Sequence, residues 1–126
     1  MELKEEAEFL KKNGYLEIDF VETISFRINK DLNEKLEQLA KIKQTTKSTL
    51  IRASLDIFIL SVNKLESKDV LSANVKASTR PFSTVSIRIN SSDLAKIDKI
   101  SQTLNVDRSD LIRYAVYKLL EKNNVV

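Results

Sequence analysis

The six residues Thr23-Ile24-Ser25-Phe26-Arg27-Ile28 return further along the chain as Thr84-Val85-Ser86-Ile87-Arg88-Ile89, and an asparagine follows each copy (Asn29, Asn90). Both copies alternate strictly. Ile24, Phe26 and Ile28 fall on one face, and Thr23, Ser25 and Arg27 on the other. Alternation with period two in β-branched and aromatic residues predicts a strand with one buried face. The outward face repeats the same two hydroxyls and one guanidinium in each copy. A solvated sheet face has no reason to repeat its polar residues, so the Thr-Ser-Arg set is the first candidate for a recognition surface.

Working outward, the repeat is longer than the hexapeptide. A shift of 61 residues overlays Thr23–Ile59 on Thr84–Leu120 without a gap. Identities include Lys35/Lys96, Ser48/Ser109, Leu50/Leu111, Ile51/Ile112 and Arg52/Arg113. After the first strand, Asn29-Lys30-Asp31 turns the chain. A helix then runs to about Lys43, with Leu32, Leu36, Leu39 and Ala40 at helical spacing. Gln44-Thr45-Thr46 breaks it, and Thr46 or Ser48 supplies the cap of a second helix to about Asn63. That helix carries Leu50, Ile51, Ser54, Leu55, Phe58 and Val62 on its main face. Ile57, Ile59 and Leu60 make its C-terminal half apolar nearly all round, which predicts burial on most sides. The second copy gives a helix from Ser92 to about Leu104 bearing Leu94, Ile97, Ile100 and Leu104. Asn105-Val106-Asp107 is the turn, and Asp107 with Asp110 resembles a capping box. The last helix, from Arg108 to about Lys122, bears Leu111, Ile112, Ala115, Val116, Leu119 and Leu120. Arg52 and Arg113 read as surface or salt-bridging residues, and Tyr114 and Tyr117 as packing residues or an oligomer contact.

The repeated unit is strand–helix–helix. At about forty residues it lies at the lower limit for independent folding, and one strand cannot satisfy its own backbone hydrogen bonds. Its natural partner is the other copy. Antiparallel pairing about a pseudo-two-fold axis sends both apolar faces to the helices and both polar faces outward. The expected fold is therefore mainly α with a two-stranded antiparallel β-ribbon. Its organisation is an acidic N-terminal extension with a short helix (1–20), a first unit (21–64), a linker (65–82) in which Asp69–Asn74 adds a helical turn, a second unit (83–122) and a four-residue tail (123–126).

Composition narrows the function. The chain has 126 residues, no Cys, no His, one Gly and one Pro. Disulfides, thiolate chemistry and the commonest general base are excluded, and so are the soft and imidazole metal ligands. The remaining carboxylates, serines and lysines form no catalytic constellation, so no enzyme, metal, cofactor or small-molecule ligand is expected. No apolar run approaches the ~20 residues of a membrane span. The start of the chain lacks a signal peptide's basic and apolar regions, and a cytoplasmic protein is expected. Net charge is +3, but residues 1–20 hold three lysines against six acids, leaving +6 on the rest. A basic body suits a nucleic-acid partner.

These units resemble ribbon–helix–helix DNA-binding domains of the MetJ/Arc type. The resemblance spans residues 23–60 and 84–121. It is closest in DRSDLIR (Asp107–Arg113) and looser in TKSTLIR (Thr46–Arg52). Members of that family are usually separate chains that dimerise, so this chain resembles a tandem ribbon–helix–helix protein forming an intramolecular pseudo-dimer. Tandem copies of this kind occur among regulators of archaeal viruses, for which the compartment would be the host cytoplasm. The resemblance implies a sequence-specific regulator of transcription, most simply a repressor, that inserts the ribbon into the major groove of double-stranded DNA. Thr23, Ser25, Arg27, Thr84, Ser86 and Arg88 would then face the bases. Phosphates would be held by Lys30 and by the first turns of the second helices: Thr46, Lys47 and Ser48 in one unit, Arg108 and Ser109 in the other. There Asp107 sets a negative charge where Thr46 has none. Self-association on DNA is a further implication. Two alternatives share the fold: an antitoxin, which carries a toxin-binding tail after its second helix, and an architectural or plasmid-partition protein of low specificity.

Overall fold

The computed structural model describes residues 21–61 and 65–125. The expected N-terminal helix and the lead-in before Val21 lie outside them, as does Val62. The two copies of the hexapeptide pair with each other: β1 (Val21–Asn29) and β2 (Phe82–Asn90) make one antiparallel two-stranded sheet. The register sets Ser25 opposite Ser86, Thr23 opposite Arg88 and Arg27 opposite Thr84. The ribbon is thus pseudo-two-fold about the Ser25–Ser86 pair. Each strand runs nine residues, longer than the hexapeptide alone, because the partner extends the ladder through Val21 and Phe82 at the strand starts.

Helices α1 (Lys30–Ile42) and α2 (Lys47–Leu60) follow β1, and α4 (Ser91–Leu104) and α5 (Arg108–Lys122) follow β2. Asn29 and Asn90 end the strands and stand at the N-cap positions of the helices at once, so no separate turn intervenes. Asn29 accepts from the Leu32 N–H at 3.2 Å. Thr46, not Ser48, caps α2, its hydroxyl accepting from the Thr49 N–H at 3.1 Å. At α5 the Asp107 N–H donates to the Asp110 carboxylate at 3.0 Å, as in a capping box. Both first helices end alike. Gln44 and Asn105 take left-handed backbones, φ 54° and 53°. The next N–H bonds back to the helix, Thr45 to Ala40 O at 2.9 Å and Val106 to Ser101 O at 3.1 Å.

The apolar face of the ribbon (Ile24, Phe26, Ile28, Val85, Ile87, Ile89) is wholly buried on the helices. Both units contribute to one continuous core. The units interlock: α2 packs on β2, α5 on β1, and α2 and α5 pack together. Phe58 meets Tyr114 edge to face, with ring centroids 5.8 Å apart. Of the stripe residues, Ile100, Leu104 and Leu119 sit only partly buried against the core.

Two expectations need correction. The C-terminal half of α2 is not buried on most sides: Ile57 is 51% and Leu60 83% exposed. α2 is covered on the sides toward the ribbon, α5, α1 and α4, and among the described residues no further layer lies on its outer side. The segment 65–82, expected as a linker, holds a full helix, α3 (Ser67–Ala77). Val70, Ala73 and Ala77 are buried, and α3 packs against α5 and β1. Its stripe of small residues at helical spacing is weak in sequence. The Glu66 N–H bonded to Asp69 Oδ2 at 3.0 Å secures its start.

Candidate nucleic-acid interface

All six residues expected to read bases (Thr23, Ser25, Arg27, Thr84, Ser86, Arg88) lie exposed on the outer face of the ribbon. Their arrangement follows from the register. Ser25 and Ser86 hydroxyls bond to each other at 2.7 Å on the pseudo-axis. Each arginine stands across from the other strand's threonine. The face therefore reads Arg–Ser–Thr in one direction on β2 and the same, reversed, on β1. A two-stranded ribbon is narrow enough to enter a B-DNA major groove.

The same face continues past the hexapeptides. Val21 and Phe82, related by the 61-residue shift, extend it at opposite ends, and Arg80 lies over the Phe82 ring with its guanidinium carbon 6.0 Å from the centroid. Val21 is 55% and Phe82 37% exposed. Sequence reading stopped each strand at its threonine and missed them. The pattern hides them, since polarity reverses there: Glu22 and Ser83 stand where the apolar face would continue, and Val21 and Phe82 fall on the polar side.

The second helices, whose first turns hold most of the residues expected at phosphates, cross between units. Arg52 on α2 reaches the Arg88 carbonyl of β2, and Arg113 on α5 the Arg27 carbonyl of β1. Each second helix is thus tied to the other unit's strand five residues after its start, and Arg108 at the start of α5 also feels the carboxylate of Glu22, near the start of β1. Lys30 is exposed at the start of α1, where its backbone N–H donates to Pro81 O at 2.8 Å.

Lys47 and Arg108, the basic residues expected at phosphates in the second helices, each hold a carboxylate on the preceding helix of their own unit. Lys47 Nζ bonds Asn33 Oδ1 at 2.9 Å and Glu37 Oε1 at 3.3 Å. Arg108 makes a two-pronged pair with Asp98, at 2.7 and 2.8 Å. Glu37 and Asp98 are again 61-residue equivalents. The hydrogen bonds it donates to Asp98 raise the Arg108 pKa above its ordinary value, against a smaller opposing effect of burial. Both pairs are part-exposed, so a phosphate can compete for either cation.

Arg52 and Arg113 were read as surface or salt-bridging residues. Arg113 does make a salt bridge, to Asp110 at 2.7 Å. Their bonds to the opposite strand could not be read from sequence, because those bonds join residues that only the pseudo-dimer brings together.

Among the described residues no three potential metal ligands cluster, and no helix is long and apolar enough to cross a membrane. The clefts are shallow. One of about 240 Å³ lies between α2 and α5, beside Phe58, Tyr114 and Lys118.

Comparison with known proteins agrees with this geometry. The family described as "Ribbon-helix-helix protein, copG family" matches residues 83–123, which comprise β2, α4 and α5. Proteins of that family are generally DNA-binding transcription regulators or antitoxins. No curated protein and no solved structure matches the chain.

Proposed function

We propose that this chain is a sequence-specific regulator of transcription, most simply a repressor, whose β-ribbon enters the major groove of double-stranded DNA as a single-chain pseudo-dimer. The observation that carries the reading is the two-fold face of Thr23, Ser25, Arg27, Thr84, Ser86 and Arg88, exposed on a ribbon whose other face is entirely core. Arg27 and Arg88 are the main readers, since a guanidinium can bond guanine O6 and N7 together. The hydroxyls discriminate less. Val21 and Phe82 supply apolar contacts at the flanks, suited to thymine methyl groups. The first turns of α2 and α5 hold backbone phosphates through free N–H groups, the helix dipole and Lys47 or Arg108. Lys30 adds a further phosphate contact.

Selection of bound sequences from a random DNA pool tests this. The expected result is a core close to palindromic, with asymmetry in the flanks where Thr46 faces Asp107 across the pseudo-axis. Two unrelated half-sites would overturn the reading. Arg27→Ala or Arg88→Ala should each weaken specific binding by ~1–3 kcal/mol and relax base preference at one position. An equal loss on non-specific DNA would show that the arginine touches only phosphate. Footprint length on the selected site counts the copies that assemble.

A further inference from the structure

The Thr-Ser-Arg faces are identical in the two units, but their supports are not. A two-stranded ribbon leaves alternate carbonyls of each strand outside its ladder. Those of Arg27 and Arg88 are each taken by a guanidinium from the other unit: Arg113 Nη1 donates to Arg27 O at 3.0 Å, and Arg52 Nη1 to Arg88 O at 3.2 Å. Arg52 and Arg113 are themselves 61-residue equivalents. Each bond fixes the peptide plane from which a base-facing arginine springs.

The two guanidinium groups are held very differently. Arg113 is engaged on three sides. Nη2 bonds Asp110 at 2.7 Å, with both side chains only 12% exposed. Its Nε donates to Asn74 Oδ1 of α3. The same helix end reaches the ribbon a second time, since Asn29 Nδ2 donates to Thr79 O at 2.9 Å and to Thr79 Oγ1 at 3.0 Å. On the other side, Arg52 has only a long contact to Thr49 Oγ1, 3.4 Å. Asn90, the counterpart of Asn29, makes no side-chain cap. At that end the described residues leave a cleft of about 300 Å³, lined by Thr49, Arg52, Asp56 and Asn90 among others. Among the described residues, therefore, α3 buttresses the Arg27 end of the ribbon and nothing like it supports the Arg88 end.

We infer that Arg113, latched by Asn74 of α3, is a positioning residue that pre-organises Arg27, whereas Arg52 leaves Arg88 adjustable, so the pseudo-dimer reads one half-site stringently and the other permissively. A reader already fixed loses less freedom on binding and tolerates a displaced partner less well. This inference rests on the proposed DNA reading, but its first consequence belongs to the free protein. Amide hydrogen exchange, followed residue by residue, should be slower around Arg27 than around Arg88, on the order of tenfold. Asn74→Ala should abolish that difference while leaving the Arg113–Asp110 pair intact. Arg113→Gln is the stronger second variant, since it also removes the bond to the Arg27 carbonyl. Equal exchange at both ends of the wild-type ribbon, or an Asn74→Ala effect spread evenly over both, overturns the inference and leaves the DNA reading standing.

The second arm is selection from a random pool. Arg27→Ala and Arg88→Ala assign the two half-sites. Wild type should then show sharper base preference under Arg27. Asn74→Ala should lower discrimination there by roughly three- to tenfold, part of the whole value of an arginine–guanine contact, with the Arg88 half unchanged. A merely structural role for Asn74 would weaken both halves together and is excluded by a one-sided loss. Unequal exchange without any base preference in either half would overturn the DNA reading and with it this use of the latch.

Discussion

At the scale of single residues, charge placement sets how tightly the interface can grip. Arg108 is paired with Asp98 in the free protein, so a phosphate must share or displace that carboxylate. Asp98→Asn removes the competing charge. The expected outcome is tighter binding, with the slope of log K against log salt steeper by about 1, as for one added phosphate contact; titrations at several salt concentrations check it. A second carboxylate is misplaced for stability. Burial raises the Asp56 pKa above its ordinary 3.8, and the neighbouring Asp93 raises it further, against Lys96, which lowers it. A carboxyl whose pKa is raised on folding favours the folded state when protonated, and that contribution is lost as pH rises through the carboxylate range to the raised value. Asp56→Asn should therefore raise Tm at pH 7, and the gain should shrink as pH falls through the raised value toward 3.8. The gain will be small, because the group is largely in solvent.

At the scale of elements, the turns between helices carry a local cost in each unit. Gln44 and Asn105 hold the left-handed conformation at the ends of α1 and α4. Asn tolerates that region and Gln does so poorly, while Gly has no penalty. Gln44→Gly should stabilise the protein by ~0.5–1 kcal/mol, read as a higher denaturation midpoint with an unchanged m-value. The same substitution at Asn105 should gain less. A loss of stability at position 44 would show that the Gln side chain makes a contact worth more than the backbone strain. The α3 helix belongs to this scale too. Its small buried residues (Val70, Ala73, Ala77) let it lie close on α5, while Leu71 and Val75 remain 49% and 69% exposed on its outer side.

At the scale of the molecule, the two units share one ribbon and one core, so neither has a stability of its own. Ile51 on α2 and Ile112 on α5 are 0% and 1% exposed. Ile51→Ala should cost ~2–5 kcal/mol. It should lower a single unfolding transition in which tyrosine fluorescence, which reports chiefly on the second unit, coincides with helical circular dichroism. Two separate transitions would mean that the units fold independently. Interlocking also anchors each unit's second helix beside the other unit's strand.

Much of this was legible in the chain itself. Strict alternation in the two hexapeptides determined which side chains face out, because a strand has period two whatever it packs against. The 61-residue repeat determined two helices for each unit and paired their apolar stripes. The asymmetry was not legible. Sequence showed Ser and Asn between the units and suggested a linker, since a helix made of small residues carries little periodic signal. It presented Ile57 and Leu60 as core, since apolar character does not reveal whether a further layer exists to cover it. Above all, it showed Arg52 and Arg113 as one repeated residue. Only tertiary structure decided that each grips the opposite strand, and that α3 latches just one of them, because hydrogen bonds between residues up to 86 positions apart depend on the register of the ribbon and not on any local pattern.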